Sequence, residues 1–201
     1  MTERHSETST TQANTSLTPA VGIAVLAGGC FWCLEAVFRE LSGVLKVEPG
    51  YCGGSQDTAD YEQVCAGGTD HAEAVRIQYD QNQITYDALL KVFFSVAHDP
   101  TQKDRQGNDR GRQYRSAIFY ADNEQRIAAH TAIEELTRSQ IHEEPIVTEV
   151  VPLAPFYLAE AHHHNYAACH PSQPYITHIA TPKVEKLRRY FAHMLRTKPL
   201  P

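Results

Sequence analysis

At 201 residues, 42% hydrophobic and 21% charged, the chain has the length and make-up of one domain with a proper core. A net charge of −6 with no basic stripe excludes a nucleic-acid-binding surface, and no apolar run approaches the roughly 20 residues that span a bilayer. Five cysteines, an odd number, argue against a static disulfide framework and point to the cytoplasm, where cysteine serves catalysis, metal binding or packing.

Residues 1–19 read as a disordered polar arm, rich in Ser and Thr and without the apolar region of a signal peptide. A single domain is expected over residues 20–201. Its first strand is the apolar run Val21 to Ala27, broken at Gly28-Gly29. A helix follows over about 30–41, with Phe31, Leu34, Val37, Phe38 and Leu41 on one face. Val44 to Pro49 reads as a short strand, Gly50-Tyr51-Cys52-Gly53-Gly54 as a Gly-rich loop, and Tyr61 to Val64 as a helical turn. His71 to Tyr79 alternates as a strand, and Thr85 caps a second long helix whose apolar face carries Leu89, Leu90, Phe93, Phe94 and Ala97.

Residues 99–113 are polar and turn-rich, and a strand at 114–120, a helix at 122–140 and a strand at 146–151 follow. A short helix is expected between Pro155 and Cys169, an irregular stretch over 170–181, and a last helix opened by Thr181-Pro182 with Val184, Leu187, Phe191 and Leu195 facing inward. Strands separated by helices imply a two-layer α/β sandwich, of the α+β or α/β class, with helices packed on a mixed sheet.

Cys30 stands where the first strand breaks and the first helix begins, so unpaired N–H groups and the positive end of the helix dipole meet it. That setting favours the thiolate, the reactive form of cysteine. Cys33 lies one turn later, completing Cys-x-x-Cys, which closes a disulfide or lowers the pKa of the first thiol. No second such pair exists to make a zinc site. The period of the 71–79 strand puts Glu73 on the face of Val75, Ile77 and Tyr79, opposite Arg76 and Gln78. There it either loses solvation and becomes a general acid or lies at the strand end and reaches water. Three adjacent histidines, His162-His163-His164, share no face of an element and read as a solvated helix end, while His71 and His98 read as structural.

The chain resembles the peptide-methionine sulfoxide reductases of the A type. The resemblance rests on Gly28-Gly29-Cys30-Phe31-Trp32, Gly50-Tyr51 with Gly53-Gly54, Tyr61-Glu62-Gln63-Val64-Cys65-Ala66-Gly67, His71-Ala72-Glu73, His98-Asp99-Pro100, Gln106-Gly107-Asn108-Asp109, Gln113-Tyr114-Arg115-Ser116-Ala117 and Pro155-Phe156-Tyr157. It covers about residues 21–190 in register.

The resemblance implies a ferredoxin-like core with a long irregular C-terminal segment, and reduction of the S epimer of methionine sulfoxide, free or in proteins. By it Cys30 is the nucleophile and is left as a sulfenic acid, and Glu73 protonates the sulfoxide oxygen. Tyr51 and Tyr114 hydrogen-bond that oxygen, Asp109 supports the polar side of the site, and Phe31 and Trp32 bind the terminal methyl. It implies no metal and no cofactor, a monomer, and thioredoxin or glutathione with glutaredoxin as reductant. The chain departs from the pattern in having Asp70 before His-Ala-Glu, Cys33 where glycine is common, and Ile176 after Gln173-Pro174-Tyr175, where many relatives carry a recycling cysteine. Cys169, Cys33 and Cys52 are the candidate resolving thiols, with Cys65 expected to be buried beside Val64; an external thiol is the remaining route. The competing readings are a general Cys-x-x-Cys disulfide oxidoreductase and a metal- or redox-sensing module built on Cys30, Cys33 and the histidines.

Overall fold

The structure is a computed structural model that describes residues 20–200, so the arm expected over 1–19 lies outside the described residues. In chain order the elements are β1 (Val21–Gly28), α1 (Phe31–Phe38), β2 (Val44–Cys52), α2 (Tyr61–Ala66), β3 (Ala72–Asp80), α3 (Tyr86–Val92), the short pair β4 (Arg105–Gln106) and β5 (Asp109–Arg110), β6 (Ser116–Tyr120), α4 (Asn123–Ser139), β7 (Glu149–Pro152), β8 (Phe156–Leu158), α5 (Tyr166–Cys169) and α6 (Thr181–Tyr190). The main sheet runs β7-β6-β1-β3-β2-β8. Only β6 and β7 pair in parallel. Its inner strands β6-β1-β3-β2 with α1 and α3 form the β-α-β-β-α-β pattern, so the mixed sheet with helices and its ferredoxin-like core are as expected.

Alternation along the strands divides the core in two. Ala24, Leu26, Val47, Tyr51, Val75 and Ile77 face the helices, while Val25, Ala27, Cys52, Ala72, Ala74 and Phe119 form a smaller cluster on the opposite face. The expected face of α1 is fully used: Phe31, Leu34, Val37, Phe38 and Leu41 are all buried. The helix stops at Phe38, short of the expected 41, because Leu41 bridges to Leu195 and Gly43 turns the chain at φ +82°. Thr85 caps α3 as expected, its Oγ1 accepting from Ala88 N at 3.1 Å, and the helix widens into a π-type turn over Phe93–Ala97.

Three local expectations are corrected and one is refined. The Gly-rich loop starts only at Gly53, since Gly50, Tyr51 and Cys52 continue β2 between β3 and β8. Tyr114 ends a 3₁₀ turn, and the strand begins at Ser116. The short helix expected in 155–169 is the one-turn α5 at its end, and β8 and a 3₁₀ turn precede it; three strand residues are too few for a period to register. The 170–181 stretch is not irregular at its end: a π-type turn over Ile176–Ala180 runs straight into α6, so Thr181-Pro182 lies inside continuous helical backbone.

Candidate active site

The turn from β1 to α1 is shaped by its two glycines. Gly29 has φ +88°, a left-handed conformation that strains any other residue. A Cβ on Gly28 would come within 2.8 Å of the His98 ring. His98 is held by Phe93 O on Nδ1 (3.0 Å) and Ser116 Oγ on Nε2 (2.7 Å), a structural role. Cys30 is therefore the residue preceding the first helical turn, and it is buried.

Across the sheet, Tyr51 of β2 and Glu73 of β3 are register partners on the helix face. Of the two readings open for Glu73, the structure selects the desolvated one: the residue is 2% exposed. Burial first, then the charge of Asp109, raises its carboxyl to about 8, although Phe31 N–H donates to Oε2 at 3.0 Å. Burial thus favours the protonated form of the Glu73 carboxyl.

The same hydrogen bond corrects the expectation for Cys30. The N-terminal amide that was expected to favour a thiolate serves Glu73 instead. Burial, the hydrogen bond with Cys33 and the facing Glu73 charge then push the Cys30 thiol well above its usual range. Its partner moves the other way. The hydrogen bond from Cys30, aided by the Lys183 ammonium, lowers Cys33 to about 7 against the opposing effect of burial.

Asp109 stands on β5 and accepts from the Tyr175 hydroxyl at Oδ2. Cys33 Sγ in turn donates to the Tyr175 hydroxyl at 3.9 Å. Cys30, Asp109, Tyr175 and Lys183 wall a cavity of about 510 Å³. Phe31 and Trp32 do not line it. Phe31 packs against Tyr51 at 5.9 Å between ring centroids, and Trp32 stacks on Tyr166 at 3.9 Å. Tyr114 feels the charges of Glu73, Asp109 and Cys30, which with burial raise its phenol. Cys65 is half-buried rather than buried, hydrogen-bonded to Tyr61 and Tyr114.

Tyr51 does not project from a loop. Its hydroxyl donates to Glu160 Oε2 at 2.8 Å, and Glu160 Oε1 accepts from Tyr61 N at 2.9 Å. His163 is 2% exposed, correcting the solvated histidine run. Its Nδ1 accepts from Trp32 Nε1 at 3.2 Å and its Nε2 lies 3.7 Å from Glu160. Glu160, His163 and Tyr175 were missed by sequence reasoning. The signals were the histidine run, read as solvated, and Gln173-Pro174-Tyr175, noted for the cysteine that does not follow it.

The three candidate resolving cysteines separate. Cys52 lies on the opposite face of the sheet, because the strand period sends it away from Tyr51; its Sγ donates to Ala154 O at 3.6 Å and burial raises it to about 11. Cys169 is exposed at the end of α5. Of the three, Cys33 is the one whose ionisation is tied to that of Cys30. Among the described residues, no three His, Cys, Asp or Glu side chains gather to hold a metal, and no helix is long and apolar enough to cross a membrane.

Comparison with known proteins gives the family and the fold. The family model described as peptide methionine sulfoxide reductase matches residues 22–195. A peptide methionine sulfoxide reductase A of Nautilia profundicola is 55% identical over 163 residues, 81% of this chain and 92% of the relative. One of Deinococcus radiodurans is 48% identical over 96% of this chain and 94% of its own. Among solved structures, reduced Mxr1 of Saccharomyces cerevisiae superposes with TM-score 0.70 at 30% identity, covering 76% of this chain and 87% of that one. Methionine sulfoxide reductase A of Corynebacterium diphtheriae gives 0.67 at 34% identity, over 78% of each chain.

Proposed function

The chain belongs to the peptide methionine sulfoxide reductase family, an oxidoreductase that reduces methionine sulfoxide, and on that premise we propose that Cys30 is its nucleophile and Glu73 its acid. The observation that carries this reading is the burial of the Glu73 carboxyl on the strand face, held by the amide of Phe31, the residue after Cys30, a setting that raises its pKa to about 8. Cys30 Sγ attacks the sulfoxide sulfur while Glu73 protonates the oxygen on which charge develops. Collapse gives methionine and a sulfenic acid on Cys30. Tyr114 and Tyr51 face this oxygen, with Glu160 fixing the Tyr51 phenol. Asp109, held by Tyr175, supports the polar wall, while Phe31 and Trp32 lie outside the lining of that cavity and pack on Tyr51 and Tyr166 as an apolar backing beside Cys30.

Cys33 then resolves the sulfenic acid. It is the thiol one helical turn from Cys30 and titrates together with it, and its lowered pKa keeps a nucleophilic fraction at neutral pH. Thioredoxin, or glutathione with glutaredoxin, returns the disulfide to two thiols in the cytoplasm. The substrate is the S epimer, free or in oxidised proteins.

Single-turnover reduction of resolved methionine sulfoxide epimers by pre-reduced protein, with free thiols counted before and after, tests the proposal. Loss of two thiols with the S epimer, mapped to Cys30 and Cys33, is the expected result. No turnover with either epimer would remove it.

A further inference from the structure

The cavity that Cys30 lines also carries two lysines, Lys183 and Lys186, that the reductase reading leaves without a role. Lys183 stands on α6, which packs against α1, and its ammonium donates to Ala97 O at 2.7 Å at the end of the π-type turn. That bond fixes the charge on the inner side of the cavity, which Lys183 lines together with Cys30, Asp109 and Tyr175. A lysine whose role was packing would carry its head to water; this one is held inward by a carbonyl.

We propose that Lys183 is a positioning residue for the resolving step, its fixed ammonium stabilising the Cys33 thiolate that attacks the Cys30 sulfenic acid. The inference rests on Cys33 being the resolving thiol. In the step, the Cys33 sulfur supplies the electron pair for the new S–S bond, and the S–O bond of the Cys30 sulfenic acid breaks. The departing hydroxide takes one proton and leaves as water, so two thiols and one sulfoxide end as a disulfide, methionine and water.

The charged and titratable groups that face Cys33 come from several elements: Cys30 ahead of α1, Glu73 of β3, Asp109 of β5, Tyr175 beside the π-type turn and Lys183 of α6. Two of them, Glu73 and Asp109, disfavour a second anion when ionised. Lys183, held by Ala97 O, is a cation that offsets them, and Lys186 lines the same cavity.

The test follows disulfide closure after a single turnover of the full chain across pH 5.5–9.5, by quenching and counting thiols. Lys183→Gln, which still offers an N–H donor but no charge, should raise the pH midpoint of closure by about one unit, making closure about tenfold slower well below the midpoint. Above pH 9, where the thiolate is fully formed, closure should be no slower than in the wild type, because a thiolate of higher pKa is intrinsically the better nucleophile. Lys183→Arg should restore the wild-type midpoint. A merely structural lysine would slow closure equally at every pH and be rescued by Gln as well as by Arg. An unmoved midpoint in Lys183→Gln or a shifted one in Lys183→Arg would overturn the inference. Should Gln fail to fold, the Arg profile and that of Lys183→Met decide it in the same way. Cys33→Ser separates the two proposals: it should trap the sulfenic acid, and two-thiol loss in that variant would overturn the resolving role of Cys33 and this inference with it.

Discussion

Replacing Glu73 with Gln should abolish fast chemistry and strengthen the fold at neutral pH in the same protein. The Glu73 carboxyl sits at about 8 against an ordinary value of 4.5, through burial first and the Asp109 charge second. At pH 7 such a group is about 90% protonated, whereas an ordinary glutamic acid is protonated in roughly one molecule in 300. Removing a positioned proton donor costs about 10²–10⁴-fold, so methionine formation in a single turnover should fall at least about 100-fold. The amide oxygen of Gln still accepts from Phe31 N–H, so the local geometry is kept. Stability moves the other way. The folded state binds the proton more tightly than the unfolded chain, so the contribution of this group is complete below about pH 4.5 and is lost as pH rises through about 8. Between pH 4.5 and pH 7 the wild type should lose about 3 kcal/mol from Glu73, a loss that Glu73→Gln escapes. Urea unfolding of both proteins at the two pH values reads this difference, and it is independent of any fixed cost of the amide. Methionine formation within about threefold of wild type, or parallel losses of stability in the two proteins, would refute the protonated-acid argument.

Cys33→Ser should lose one thiol per turnover instead of two and leave a dimedone-reactive sulfenic acid on Cys30, whereas Cys52→Ala, on the other face of the sheet, should still lose two; mass mapping of alkylated peptides reads both. Glu160→Gln weakens the acceptor of the Tyr51 hydroxyl and should lower kcat/KM for an S-sulfoxide peptide about tenfold, near 1.4 kcal/mol of transition-state stabilisation. An unchanged value would mean that the Tyr51 orientation is set by packing alone. Gly29→Ala forces a side chain onto φ +88° with its Cβ 2.6 Å from Gln106 Cγ, and thermal unfolding should show at least about 1–2 kcal/mol of lost stability.

Local physics was legible in the sequence wherever one element supplied all the terms. The apolar period of 31–41 predicted the buried face of α1, the alternation of 71–79 placed Glu73 among Val75, Ile77 and Tyr79, and the break at Gly28-Gly29 marked the functional turn. The resemblance added the reaction. The site's electrostatics were not legible, because each depends on what a distant strand or turn presents. Burial first, then Cys33 and the Glu73 charge, reverse the expected state of Cys30, and the amide of Phe31 goes to a carboxyl group 42 residues away. Tyr51 was read into a loop because glycines flank it; β3 and β8, pairing on either side, extend the strand and bury it.

The sequence by itself determined the core-facing surfaces and the chemical inventory, a thiol at a helix start and a carboxyl on an apolar strand face. The tertiary structure decided protonation and partnership: which thiol is lowered, which cysteine lies on the wrong side of the sheet, and which carboxylate holds Tyr51. Those are set by desolvation and by contacts such as Tyr51 with Glu160, 109 residues apart, and Cys33 with Tyr175, 142 apart. A residue's period fixes the direction in which it points, but the charge it meets there arrives from another part of the chain.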